Sequence, residues 1–251
     1  SGLNTGLAKI REVDFHYDTQ LYEKYFGGKE DPTLFLSKEE RDYISSSGTL
    51  RAVYPAGWNP LHHQEKGAFA GVSATLLEQI CRETGLSLDY REVGSYQEGV
   101  EMVQAGEADI LIGAPPSAEA AIDSGLTLTQ SYLPLQCILV RSSATDPGRE
   151  NRAACLRGYP VSDELAEQEI VWYDTPEACL QAVEQGDVGS FVTNSYLLQQ
   201  YLQNRSYRNL VYSPLDDSTA GLCLALGRPA DTTLLTVLSK AIGSISERER
   251  Q

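Results

Sequence analysis

Ser95-Tyr96-Gln97-Glu98, an amphipathic run through Val103, then Gly106 and Ile110-Leu111-Ile112: this stretch returns once, 80 residues later. The second copy is Thr175-Pro176-Glu177-Ala178, a run through Val183, Gly186-Asp187 and Phe191-Val192. Each copy spells a cap, a short helix, a stop and a buried strand. Ser95 and Thr175 carry a side-chain oxygen that accepts an orphan N–H of a first helical turn. Ser95 and Glu98 have the spacing of a capping box, and Pro176 falls where its missing donor costs nothing. Gly106 and Gly186 suit the left-handed residue that ends a helix. Two α/β lobes built on one plan are expected to face each other across a cleft, with ligand at the carboxyl ends of the strands. On that reading Gly113-Ala114-Pro115 and Thr193-Asn194 look at one another. Helix–glycine–strand is also a common unit, and coincidence stays open at this point.

The 251 residues allow one bilobed domain or two small ones. Lys and Arg number 20 and Asp and Glu 35, for a net charge of −15. That balance argues against nucleic acid, which needs a concentrated positive surface, and against anionic lipid; solubility is its simplest meaning. No apolar run reaches the roughly 18 residues of a membrane span. No signal peptide is recognisable, and Ser1-Gly2 reads as a cloning remnant. Cys81, Cys137, Cys155, Cys179 and Cys223 form no CxxC pair and sit in apolar stretches, as small buried side chains do. Cys155 and Cys179 fall in the same half, and a bridge between them stays open. His62-His63 reads as a pair of exposed loop histidines, since neighbours on an extended chain point opposite ways. No GxSxG, HExxH or P-loop occurs, so neither catalysis, a metal nor a cofactor is expected.

Residues 1–46 differ from the rest. Leu7, Ile10, Val13 and Tyr17, then Leu21, Tyr22, Tyr25 and Phe26, recur at helical spacing, and Ser37-Lys38-Glu39-Glu40 is a second capping box. From Leu50 strands and helices alternate, which implies α/β sheets. Strands are expected at 50–54, 86–90, 152–156, 169–173, 210–213 and 222–226. Helices are expected after Gly71 to Glu83, from Ser162 to Gln168, and from Thr233 to Ile245. The chain is expected to cross between halves near Gln136 and again near Val211. The expected division is therefore a helical extension or linker at 1–46, a first lobe at 47–135 with 215–251, and a second lobe at 136–214.

Several motifs in this order resemble the bacterial extracellular solute-binding proteins of family 3, the type 2 periplasmic-binding or Venus-flytrap fold. They are Leu50-Arg51-Ala52-Val53 with Trp58-Asn59-Pro60-Leu61; Gly67-Ala68-Phe69-Ala70-Gly71-Val72; Gly106-Glu107-Ala108-Asp109-Ile110-Leu111; and Leu128-Thr129-Gln130-Ser131-Tyr132-Leu133. The resemblance implies two lobes, two hinge strands and closure on a ligand. Tyr17 to Phe26 and Leu36 to Ile44 are similar to the connector between tandem flytrap modules of membrane-bound histidine kinases and diguanylate cyclases. Asn194-Ser195-Tyr196 and Tyr207-Arg208-Asn209-Leu210 are typical of that branch, and an end in Glu247-Arg248-Glu249-Arg250 fits a piece of a longer receptor. The resemblance thus implies a sensor domain on the extracellular or periplasmic face of a bacterial cytoplasmic membrane. It would touch the membrane only through parts outside this chain, and the full receptor allows a homodimer. A free-standing transport receptor and a non-binding spacer are the alternatives.

Amino-acid binders of the family grip the ligand carboxylate with an arginine on a Thr-Pro-Glu-Arg-like stretch; here it reads Ser117-Ala118-Glu119-Ala120. Their acidic residue for the amino group is matched by neutral Asn194. The two-donor fork that fits a carboxylate is missing, so an ordinary amino acid is disfavoured and a small polar or aromatic ligand is expected. The candidate ligand-binding residues are Tyr54, Trp58, Tyr96, Ala114, Pro115, Ser117, Tyr132, Arg157, Tyr159 and Asn194. The aromatic rings suit a flat or cationic guest, Ser117 and Asn194 supply neutral hydrogen bonds, and Arg157 offers replacement charge from the second lobe.

Overall fold

A computed structural model describes residues 34–145, 148–203, 209–216 and 220–249, with the backbone alone for 246–249. Residues 34–246 form one compact unit; 1–33 with 247–251 form another, of which only helical backbone at 247–249 is described. The helical pattern expected from Leu7 to Phe26, and Tyr207-Arg208, lie outside the described residues.

The first sheet runs in the order β4-β1-β5-β12-β6: Ser87–Val93, Thr49–Pro55, Ile110–Ala114, Gly221–Gly227 and Leu126–Pro134. The second runs β11-β7-β10-β8-β9: Leu210–Pro214, Cys137–Ser142, Ser190–Asn194, Arg152–Leu156 and Glu169–Tyr173. The duplicated stretch explains the symmetry of these orders. Its two strands, β5 and β10, hold the middle place in their sheets. Each has a parallel neighbour on one side (β1, β8) and an antiparallel one on the other (β12, β7). All five residues of β5 are buried, as a strand covered on both faces requires.

The preceding helices α3 (Tyr96–Gln104) and α5 (Pro176–Gln185) are capped as the sequence predicts. Ser95 Oγ accepts from Glu98 N–H at 3.1 Å and Thr175 Oγ1 from Ala178 N–H at 3.2 Å. Gly186 closes α5 in the left-handed conformation. The box at Ser95 is only half made. The Glu98 carboxylate accepts instead from Gly94 N–H at 2.7 Å, one residue upstream.

Two further helices pack on these sheets: α2 (Val72–Thr84), which buries Leu76, Leu77 and Ile80, and the closing helix α7 (Thr232–Glu249). In α1 (Lys38–Ser47) the Ser37–Glu40 capping box is complete, and the buried Glu40 carboxylate also accepts from Lys240 Nζ of α7 at 2.7 and 2.9 Å. That ammonium holds the Glu40 carboxyl below the usual range.

Two expectations need correction, and one element was not foreseen. Residues 162–168 do not form an α-helix; only Asp163–Leu165 makes a 3₁₀ turn, because Leu165 alone there anchors in the core. Between Pro60 and Gly71 the chain forms a hairpin, β2 (His63–Glu65) with β3 (Ala68–Ala70), turned by Lys66 and Gly67 at φ 50° and 84°. And His62 is not an exposed loop residue: its side chain is fully buried. All five cysteines are free thiols, so no bridge joins Cys155 to Cys179.

Candidate functional site

The chain passes between the sheets twice, at Leu135–Gln136 and between β11 and β12. The crossings are tied together. Leu135 N–H donates to Ala220 O at 3.0 Å, Leu215 N–H to Cys137 O at 2.9 Å, and Gln136 Nε2 to Leu215 O at 2.7 Å. Above them opens a cleft of about 570 Å³, large enough for a small organic guest. From the first sheet it receives Trp58, which follows β1, and Pro115, Pro116 and Ser117, which follow β5. From the second it receives the segment Tyr159 to Leu165 after β8, and Thr193 and Asn194 at the end of β10. Leu135, Cys137, Leu215 and Asp216 form its floor. The lining thus comes from the carboxyl ends of parallel strands, where backbone direction brings loops together.

Beside the cleft the two halves touch. Tyr159 of the second half is partly buried against the first: its ring centroid lies 5.5 Å from that of Trp58 and 4.8 Å, edge-on, from that of Tyr96. Its hydroxyl donates to Gly113 O at 3.3 Å, and burial raises its phenol well above the ordinary value, so it stays a donor. The contacts flanking it follow the duplication. A Cβ on Gly57, after β1, would lie 3.1 Å from Thr175 Cβ at the cap of α5; one on Gly158, after β8, would lie 3.2 Å from Gln97 Cα in α3. Each half presses its first strand-end loop against the other half's repeat helix.

Of the ten expected site residues, Trp58, Pro115, Ser117, Tyr159 and Asn194 line the cleft. The other five sit elsewhere. Tyr96 lies behind Tyr159. Tyr54 packs against Phe69, centroids 4.5 Å apart and the rings tilted by 42°. Ala114 is fully buried in register with Cys223 on β12. Tyr132 is buried with its hydroxyl 3.0 Å from Ser73 Oγ. Arg157 is half exposed and donates from Nε to Asp174 at 3.0 Å. Tyr54 and Tyr132 lie within β1 and β6, where alternation sends a side chain to the cleft or to the core according to its parity. Asn194 also has a structural duty, since its Oδ1 caps helix α6 (Ser195–Gln203) by accepting from Leu197 N–H at 3.1 Å.

Sequence reading missed Asp163, Glu164 and Asp216, which bring carboxylates to the lining. The first two were hidden in the supposed helix 162–168. It also left Thr193 off the list of site residues. Among the described residues, four polar side-chain atoms are buried with no hydrogen-bond partner: Trp58 Nε1, Thr193 Oγ1, His62 Nε2 and His63 Nδ1. The first two belong to cleft-lining residues from opposite halves. Such groups are costly to bury unpaired.

His62 supports Trp58 from behind, stacked at 5.4 Å and 14° between planes, with Nδ1 3.4 Å from Ser73 Oγ. Complete burial, with a smaller contribution from His63, lowers its pKa to about 3. The unfolded chain therefore takes up a proton near pH 6.5 that the folded chain refuses until about pH 3. Stability from this group is full above pH 6.5 and falls as pH drops; the loss should reach about 2 kcal/mol by pH 5. His62→Phe should flatten the melting temperature between pH 7 and 5, measured by calorimetry. An unchanged pH slope would contradict the buried neutral imidazole.

With that geometry in view, comparison with known proteins identifies the class. The model of the bacterial extracellular solute-binding proteins, family 3, matches residues 50–250, and the chain belongs to that family. Among curated relatives it is 27% identical over 195 residues to the virulence sensor protein BvgS of Bordetella bronchiseptica, covering 72% of this chain and 15% of that protein. This chain therefore corresponds to only a small part of that relative's length. Among solved structures it resembles the periplasmic VFT2 domain of Bordetella pertussis BvgS, at TM-score 0.68 and 22% identity over 86% of this chain and 95% of that one. It also resembles an ancestral arginine-binding protein bound to arginine, at TM-score 0.66 and 16% identity over 80% of this chain and 93% of that one. The fold is the mixed α/β Venus flytrap that the sequence resemblance implied.

Proposed function

We propose that this chain is a periplasmic ligand-binding sensor module of a transmembrane signalling receptor, which changes state as its two halves close on a small molecule. The observation that carries the reading is the cleft between two like-built halves, with an unpaired donor on one wall (Trp58 Nε1) and an unpaired hydroxyl on the other (Thr193 Oγ1). A guest that satisfies both prefers the closed form, and only such a difference in affinity moves the equilibrium. The relationship to BvgS, a virulence sensor protein, supports signalling over transport. Helix α7 is the natural output element. Its Leu234, Val237, Leu238, Ala241, Ile242 and Ile245 are buried in the core, and Ser239 O accepts from Gln130 Nε2 of β6 at 2.9 Å. Among the described residues no helix is long and apolar enough to cross a membrane, so the signal would leave through segments beyond those described.

The test is a reversible lock in the full receptor. Gly57→Cys with Thr175→Cys would set two Cβ atoms 3.1 Å apart, a little inside the span of a disulfide, so the bridge forms once the Gly57 loop, at φ 81°, gives by a few tenths of an ångström. Oxidation should hold the halves together and fix receptor output at one level; reductant should restore its response. Output indifferent to the oxidised lock would count against a closure-driven sensor.

A further inference from the structure

The charged lining of the cleft has one sign. Asp163, Glu164 and Asp216 contribute carboxylates, and among the described residues no lysine, arginine or histidine lines it. Arg157, one residue after β8, is committed to Asp174, and His62 is buried behind Trp58. None of the three lining carboxylates makes a salt bridge with a described residue. The chain's net charge of −15 adds a field of the same sign. A carboxylate guest would bring a fourth negative charge among three, with no cation among the described lining residues to meet it.

The polar walls define the rest of the guest. Trp58 and Thr193 are only 2% and 6% exposed, and the indole N–H and the hydroxyl lack partners. The indole only donates, so the guest must carry an acceptor; the hydroxyl serves either way. The Trp58 and Tyr159 rings add faces that attract a cation.

Resting on the sensor-cleft reading above, we infer that the cleft takes a small organic cation: a protonated amine, amidinium or quaternary ammonium that carries a neutral acceptor or π-rich group and lacks a carboxylate. Its positive end meets the carboxylates of Asp163, Glu164 and Asp216, and its neutral end meets Trp58 and Thr193.

Probe pairs that differ only by a carboxylate decide the matter. Tyramine against L-tyrosine, histamine against L-histidine and tryptamine against L-tryptophan are titrated into the purified protein by calorimetry. At least one cation should bind, more than about ten-fold tighter than its carboxylated partner, and more weakly as salt rises. Glu164→Gln and Asp216→Asn, both conservative changes on the cleft lining, should each weaken that binding about ten-fold while leaving the melting temperature of the free protein unchanged. Tighter binding of the carboxylated partners would overturn the cation assignment and leave the sensor cleft standing. If no member of either series binds, and native mass spectrometry finds no guest carried through purification, the cation and the binding cleft both fall.

Discussion

Gly113→Ala should lower stability by about 3 kcal/mol, a fall in melting temperature of roughly 6 to 12 °C for a domain of this size. Gly113 lies at φ 91°, a conformation that side chains rarely adopt, and an added Cβ would stand 2.8 Å from His62 Cε1. The imidazole has nowhere to go. Trp58 is stacked on it and Ser73 holds Nδ1. Both backbone strain and overpacking therefore contribute. They separate in a double-mutant cycle: with His62→Ala in place, Gly113→Ala should cost only the strain, about 1 to 2 kcal/mol. Equal costs in the two backgrounds would mean that the ring does not press on Gly113. The same substitution disturbs the carbonyl that receives the Tyr159 hydroxyl, so it should also loosen the contact between the halves.

Tyr159→Ala should act on the shape of the molecule as much as on its stability. The tyrosine is rooted in the second half and spends its ring on Trp58 and Tyr96 of the first. Deleting a buried aromatic ring costs about 3 to 5 kcal/mol. Much of that cost should fall on the closed arrangement, because in an open one the ring has already left its seat. A bias of that size shifts the closed-to-open ratio at least a hundred-fold, and small-angle scattering should record a larger radius of gyration. Tyr159→Phe keeps both ring contacts and loses one neutral hydrogen bond, so it should shift the ratio about ten-fold or less. Scattering from Tyr159→Ala that matches the parent would show that the halves are held together elsewhere, for instance at Gly57–Thr175 and Gly158–Gln97.

The duplicated stretch made the architecture legible because its signals are local. Cap, helix, stop and apolar strand each depend on residues within one turn or one strand. Ser95, Thr175 and Gly186 behave in space as they read in sequence. Where a local rule offered two partners, as for Glu98, the carboxylate chose Gly94. The segment 162–168 misled for the converse reason: Ser162, Asp163 and Glu164 resemble a helix start, but only Leu165 anchors in the core, and the rest of the turn was free to face the cleft.

The site was legible by half. Residues just past β5 and β10 had to meet, since parallel strands bring their carboxyl ends to one side of each sheet. That placed Pro115, Ser117 and Asn194 correctly on the cleft wall. No local signal told Tyr159, which bridges the halves, from Tyr54 and Tyr132, which face the core. Nor did anything local bury His62 or bring Asp216 within the same crevice as Asp163 and Glu164.

The amino-acid order alone thus determined the repeated α/β plan and its two crossings, because hydrophobic period and capping act over a few residues, while the resemblance of its motifs pointed to the family. Only the tertiary structure decided which aromatic joins the halves, which histidine is buried, and that the cleft's described lining carries carboxylates and no cation. Those are properties of groups distant in sequence, and their energies depend on burial and on neighbours that the fold alone supplies.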